Sequence, residues 1–106
     1  MDRERDVERK LCKLVEEAGG RCEKFIPDAN SGMPDRLIML PGGVLVWAEL
    51  KRPQGGRLSA LQRYQHGRLR KLGQRVEVVW SKDQARELVE ELSRREQARV
   101  ADSPDA

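Results

Sequence analysis

The tightest constraint in this chain is a pair of apolar, β-compatible runs, Arg36–Leu40 and Val44–Leu50, separated by Pro41-Gly42-Gly43. That arrangement predicts an antiparallel hairpin, in which residues equidistant from Gly42 become cross-strand neighbours. Asp35 and Glu49 are such a pair. Side chains in a strand alternate between faces, so Glu49 and Lys51 share one face while Leu50 points to the other. Trp47, Ala48 and Leu50 set these charges among apolar residues in a strand expected at the centre of a sheet, where a charge is costly unless it is used.

The flanking segments build outward from this hairpin. Val7, Leu11, Leu14, Val15 and Ala18 recur at helical spacing between Arg3 and Ala18, and Gly19-Gly20 ends that helix. Arg21–Ile26 reads as a first strand at an edge, and Pro27–Pro34 as a loop. Ser59 opens a second helix that runs to about Leu72, with Leu61, Leu69 and Leu72 on one side and Gly73 as its stop. Val76–Trp80 has the character of a buried strand. Ser81 and Gln84 then form a capping box for a third helix carrying Ala85, Leu88, Val89 and Leu92. The order is α, β, β, β, α, β, α, with the last strand delivered in parallel by a right-handed helical crossover. The expectation is an α/β fold in which helices flank a small mixed sheet.

At 106 residues the chain holds one core. Residues 1–98 are expected to form the domain, with the polar segment 99–106 as a disordered tail. Only 38% of residues are apolar and 37% are charged, so collapse rests on a few aliphatic stripes. The two cysteines, Cys12 and Cys22, are too few for a disulfide framework and lack zinc-like spacing; they read as structural thiols. The charged start, and the lack of any apolar run of about 18 residues, signal neither secretion nor membrane insertion, so a cytoplasmic protein is expected. Twenty-one Lys and Arg against 18 Asp and Glu give a net charge of +3, consistent with a polyanionic partner.

Two facing carboxylates repel unless one takes up a proton or a cation lies between them. Ligation by Asp35, Glu49, a backbone carbonyl and water suits Mg²⁺ or Mn²⁺, whereas zinc favours His or Cys. Lys51, on the same face, supplies positive charge for a phosphate or for a forming hydroxide. The set suits phosphodiester hydrolysis. The plainer alternative is that Asp35 caps a turn while Glu49 and Lys51 form a surface ion pair worth roughly 0–1 kcal/mol.

Gly32-Met33-Pro34-Asp35-Arg36, Glu49-Leu50-Lys51, Leu58-Ser59-Ala60-Leu61-Gln62, Leu72-Gly73 and Val76-Glu77-Val78-Val79 together resemble the VRR-NUC branch of the PD-(D/E)XK nucleases, over roughly residues 4–85. The resemblance implies a restriction-endonuclease-like αβββαβ core with a C-terminal helix added. It also implies metal-dependent cleavage of DNA, often at branched structures such as Holliday junctions or flaps. Compact members are similar to phage and bacterial proteins that act as homodimers, so a bacterial or phage-infected cell is the expected setting. Carried onto this chain, Asp35 and Glu49 become metal ligands with the Leu50 carbonyl, and Lys51 orients the water or stabilises the transition state. Gln62 lies beside the catalytic face, although Ser59–Gln62 is also a capping box in its own right.

The first helix of the family brings a glutamate to the site; Glu4 and Glu8 lie four apart on one face, and Glu8 is the favoured candidate. Arg36, Arg52, Arg57 and Arg63 are the candidate DNA-binding residues, with Arg68, Arg70 and Lys71 also nearby in sequence. His66 is expected on the helix surface, and Trp47 and Trp80 in the core. A cut across a two-fold junction needs two sites, hence a homodimer, with exposed aliphatics of the third helix or first strand as its contact. The expected activity is Mg²⁺-dependent (or Mn²⁺-dependent), structure-selective DNA cleavage. The alternatives are a non-catalytic DNA-binding module of the same fold, or a nuclease acting on linear duplexes or ends.

Overall fold

The structure, a computed structural model, describes residues 2–27 and 31–101. Its elements are α1 (Glu4–Glu17), β1 (Arg21–Lys24), β2 (Arg36–Leu40), β3 (Val44–Leu50), α2 (Ala60–Lys71), β4 (Val76–Val79) and α3 (Lys82–Ala101). The sheet order is β1-β2-β3-β4. The first two pairings are antiparallel, and β4 joins β3 in parallel after the α2 crossover. This is the expected α/β architecture. α3 continues to Ala101, past the expected domain boundary at residue 98. The remainder of the expected tail, residues 102–106, lies outside the described residues. No helix among the described residues is long and apolar enough to cross a membrane.

The hairpin register follows from its turn. Leu40 pairs with Val44 and Arg36 with Ala48, so the next pair outward is Asp35 with Glu49. Alternation then separates the two faces of the sheet. Ile38, Leu40, Val46, Ala48 and Leu50 face α1 and α3 and form the core with Val7, Leu11, Val15, Ala85, Val89 and Leu92. Glu49 points to the opposite face, beneath α2.

α1 begins where Asp6 Oδ2 accepts the Arg3 N–H at 2.8 Å, and it ends where the Gly20 N–H donates to the Val15 carbonyl at 2.9 Å. There the chain passes so close to β2 that a Cβ on Gly20 would lie 2.2 Å from the Met39 carbonyl oxygen. Gly20→Ala is therefore expected to cost on the order of 2 kcal/mol or more, because backbone must move to admit the methyl group. Urea denaturation checks this: the midpoint should fall at unchanged slope, and an unshifted midpoint would refute it.

Three expectations about packing are corrected. Leu61 and Leu72 are exposed and Leu69 is only half-buried, so α2 does not dock through leucines. The buried residue of α2 is His66. Trp47 and Trp80 are half-buried, with Trp47 set edge-on against Phe25 at a centroid distance of 5.1 Å. Ala85, Leu88, Val89 and Leu92 of α3 are consumed by the core; among the described residues the exposed large apolar side chains are Ile26, Leu45, Leu61, Tyr64 and Leu72. Cys12 and Cys22 are free and meet between α1 and β1, with Sγ atoms 2.8 Å apart.

Candidate active site

Asp35 enters from the loop before β2, and Glu49 and Lys51 from the end of β3. The loop is held close to α2: Gly32 has φ +74°, and a Cβ there would strike the Leu61 backbone at 2.7 Å. Asp35 Oδ2 accepts the Leu50 N–H at 3.0 Å, which fixes the carboxylate against β3. Lys51 Nζ lies 3.9 Å from Glu49 Oε2. The three side chains thus converge on one side of the sheet, as hairpin register and alternation require.

Glu49 is only 2% exposed. Burial first, and then the Asp35 carboxylate beside it, push its pKa up to about 9, against the opposing pull of Lys51. Its Oε1 atom is buried and has no hydrogen-bond partner. Oε2 accepts from Gln62 Nε2 at 3.2 Å. The same side chain also completes the expected capping box, its Oε1 accepting the Ser59 N–H at 2.8 Å. A single amide side chain thereby ties the start of α2 to Glu49.

His66, expected at the surface, is instead buried, with Nε2 3.5 Å from Glu49 Oε1. It lies four residues after Gln62 on the same helix face, which was the available signal. Burial, followed by the charge of Arg70, holds its pKa below the ordinary histidine value.

Glu8 and Arg36 are placed elsewhere. Arg36 Nε donates to Glu8 Oε2 at 2.9 Å, and Arg36 Nη1 donates to the Cys22 carbonyl at 3.0 Å. Arg36 follows Asp35 in the chain and therefore points to the other face, toward α1, where its charge is spent on Glu8. This corrects the expectation that Arg36 is free to hold a phosphate and that Glu8 is the first-helix acid nearest the pair. Glu4 is the first-helix acid whose ionisation the site perturbs: its pKa is raised by burial and then by Asp35, with Lys51 acting in the opposite direction. Glu4 also lines a cleft of about 740 Å³ with Arg3, Lys51, Arg52 and Arg57. Arg63 is exposed on the first turn of α2.

The donor set is compatible with a hard divalent ion. Glu49 Oε1 is an orphaned buried acceptor, and the second carboxylate is adjacent. Among the described residues no three His, Cys, Asp or Glu side chains form a ligand cage on their own. Asp35, Glu49 and the Leu50 carbonyl would therefore leave several positions to water or phosphate, as Mg²⁺ prefers.

A mixed sheet that delivers one acid from the start of a strand, and an acid and a lysine from the end of its neighbour, defines a restriction-endonuclease-like α/β protein. No family model matches the chain. "Putative nuclease p44" of Acyrthosiphon pisum secondary endosymbiont phage 1 is 38% identical over 81 residues, covering 76% of this chain and 86% of that protein. A solved VRR_NUC domain is similar at 34% identity with a TM-score of 0.76, covering 82% of this chain and 94% of the other. The chain belongs to the VRR-NUC nuclease family.

Proposed function

We propose that this nuclease is a divalent-metal-dependent DNA endonuclease that hydrolyses phosphodiester bonds at branched structures such as Holliday junctions, working as a homodimer. The carrying observation is the convergence of Asp35, Glu49 and Lys51 on one face of the sheet, where the Glu49 carboxyl is buried and its Oε1 has no hydrogen-bond partner. Asp35, Glu49 and the Leu50 carbonyl would hold the ion, which when bound supplies Lewis acidity and an acidified water. Lys51 carries positive charge on the same face; its ammonium can hold the attacking water or a non-bridging phosphate oxygen, offsetting charge that grows in the transition state. Gln62 restrains the Glu49 carboxylate.

Arg52 and Arg57, exposed beside Lys51 along the cleft, and Arg63, exposed on α2, are placed to meet flanking phosphates, with Arg52 steadied by its Nη2 donating to the Gly55 carbonyl. Preference for branched DNA rests on the family resemblance. The homodimer rests on that resemblance and on the two strands such a cut must sever. The exposed apolar residues Leu61, Tyr64 and Leu72 on and just beyond α2 are surface that a second copy can cover.

The test is cleavage of junction, flap and linear duplex of matched sequence, with Mg²⁺ and with chelator, alongside the solution mass of the protein. Junction cutting that requires Mg²⁺, from a dimer, is the expected result. Equal rates on linear duplex would overturn branch selectivity. Undiminished cutting in chelator would overturn the metal, and a monomer at cutting concentrations would overturn the dimer.

A further inference from the structure

α2 presents one fully buried residue to the sheet, and that residue is polar. His66 is 1% exposed and neither ring nitrogen has a hydrogen-bond partner; opposite it, Glu49 Oε1 is also buried and unpartnered. An imidazole in that position gives up the hydrogen bonds that water would offer it, and an apolar side chain of similar size would fill the space without that loss. Packing therefore does not account for the histidine.

Its neighbour does. His66 Nε2 stands 3.5 Å from Glu49 Oε1, just beyond the length of a formed hydrogen bond. One helical turn earlier, Gln62 Nε2 already donates to Glu49 Oε2 at 3.2 Å. Gln62 is itself locked by its contact with the Ser59 N–H, and the four-residue spacing puts both donors on one face of α2. Each oxygen of the buried carboxylate is thus addressed by a different side chain of the same rigid helix.

We infer that His66 is a positioning residue, whose Nε2–H engages Glu49 Oε1 and, with Gln62 on the other oxygen, fixes the orientation in which Glu49 meets the divalent ion. This deepens the proposed function and rests on it. Groups that orient a metal ligand from outside the ligand set typically change metal affinity by about 10- to 100-fold when removed.

The test uses the full chain without DNA. Mn²⁺ binding is followed by electron paramagnetic resonance for wild type, His66→Leu, His66→Gln and Glu49→Gln, and each metal-free protein is melted. His66→Leu is expected to bind Mn²⁺ about 10- to 100-fold more weakly while melting at the wild-type temperature or above it. His66→Gln, which returns an amide donor near the Nε2 position, should recover most of the affinity. Wild-type affinity in His66→Leu overturns the inference, as does a His66→Gln protein whose affinity stays lost. Should His66→Leu fail to fold, His66→Gln decides alone by the same criterion. If wild type binds no Mn²⁺, or Glu49→Gln binds it undiminished, the reading of the site fails and this inference falls with it. Binding that disappears in Glu49→Gln yet is intact in His66→Leu removes His66 only.

Discussion

Lys51→Ala and Asp35→Asn are each expected to slow DNA cleavage by on the order of 10³-fold while leaving DNA affinity nearly unchanged. Neither change should unfold the protein. Asparagine retains an oxygen that can accept the Leu50 N–H in place of Asp35 Oδ2, so the loop before β2 stays docked. Removing Lys51 takes the nearest cation from Glu49, but that carboxyl already has a pKa pushed up to about 9 and remains neutral by holding its proton. The loss should therefore appear in turnover and not in folding or in phosphate contacts, which fall to the exposed Arg52 and Arg57. Single-turnover cleavage and gel-shift titration, run on the same protein preparations, separate the two effects. Cleavage within about tenfold of wild type would mean that these groups stand outside the chemistry. Wild type that binds DNA as well as both variants, and cuts no better, would indicate the non-catalytic module.

The parts of the site that could be read from sequence are those governed by local rules. Pro41-Gly42-Gly43 sets the turn, the turn sets the register, and the register brings Asp35 opposite Glu49; each step needs only chain geometry. Alternation also says that Arg36 leaves the site when Asp35 enters it. The pairing of Arg36 with Glu8 follows from that same rule once α1 is known to cover the Ile38 face. What escaped was the docking of α2. Its leucines are the apparent buried stripe, yet Leu61 is exposed on the helix and Leu72 exposed just past its end, because α2 lies over the acidic side of the sheet and turns polar residues inward. Helical periodicity identifies an apolar face, and apolar is the wrong criterion for a helix that covers a buried carboxylate. The four-residue step from Gln62 to His66 carried the information, and the leucine pattern masked it.

The metal-free protein should lose stability as pH rises from about 5 to about 9, by several kcal/mol in all and roughly 20 °C in melting temperature. The sign follows from Glu49. Its folded pKa of about 9 stands well above the ordinary value of 4.5, so between those limits the folded state holds a proton that the unfolded state has released, and stability falls with increasing pH. Glu4, with a raised pKa, contributes in the same direction. His66 opposes it below about pH 6.5, because its lowered pKa makes folding less favourable as the medium becomes acid enough to charge the unfolded chain's imidazole. The decline is therefore cleanest from neutral pH upward. Glu49→Gln should flatten it, since the amide has the shape of the acid and nothing to ionise. Mg²⁺ should oppose it, raising the melting temperature more at pH 8.5 than at pH 5.5, because an ion held by Asp35 and Glu49 gains affinity as the Glu49 proton leaves. Thermal melts across pH, with and without Mg²⁺, measure both slopes. A wild-type slope that survives in Glu49→Gln would place the ionisation elsewhere, and Mg²⁺ stabilisation independent of pH would separate the ion from the buried carboxylate.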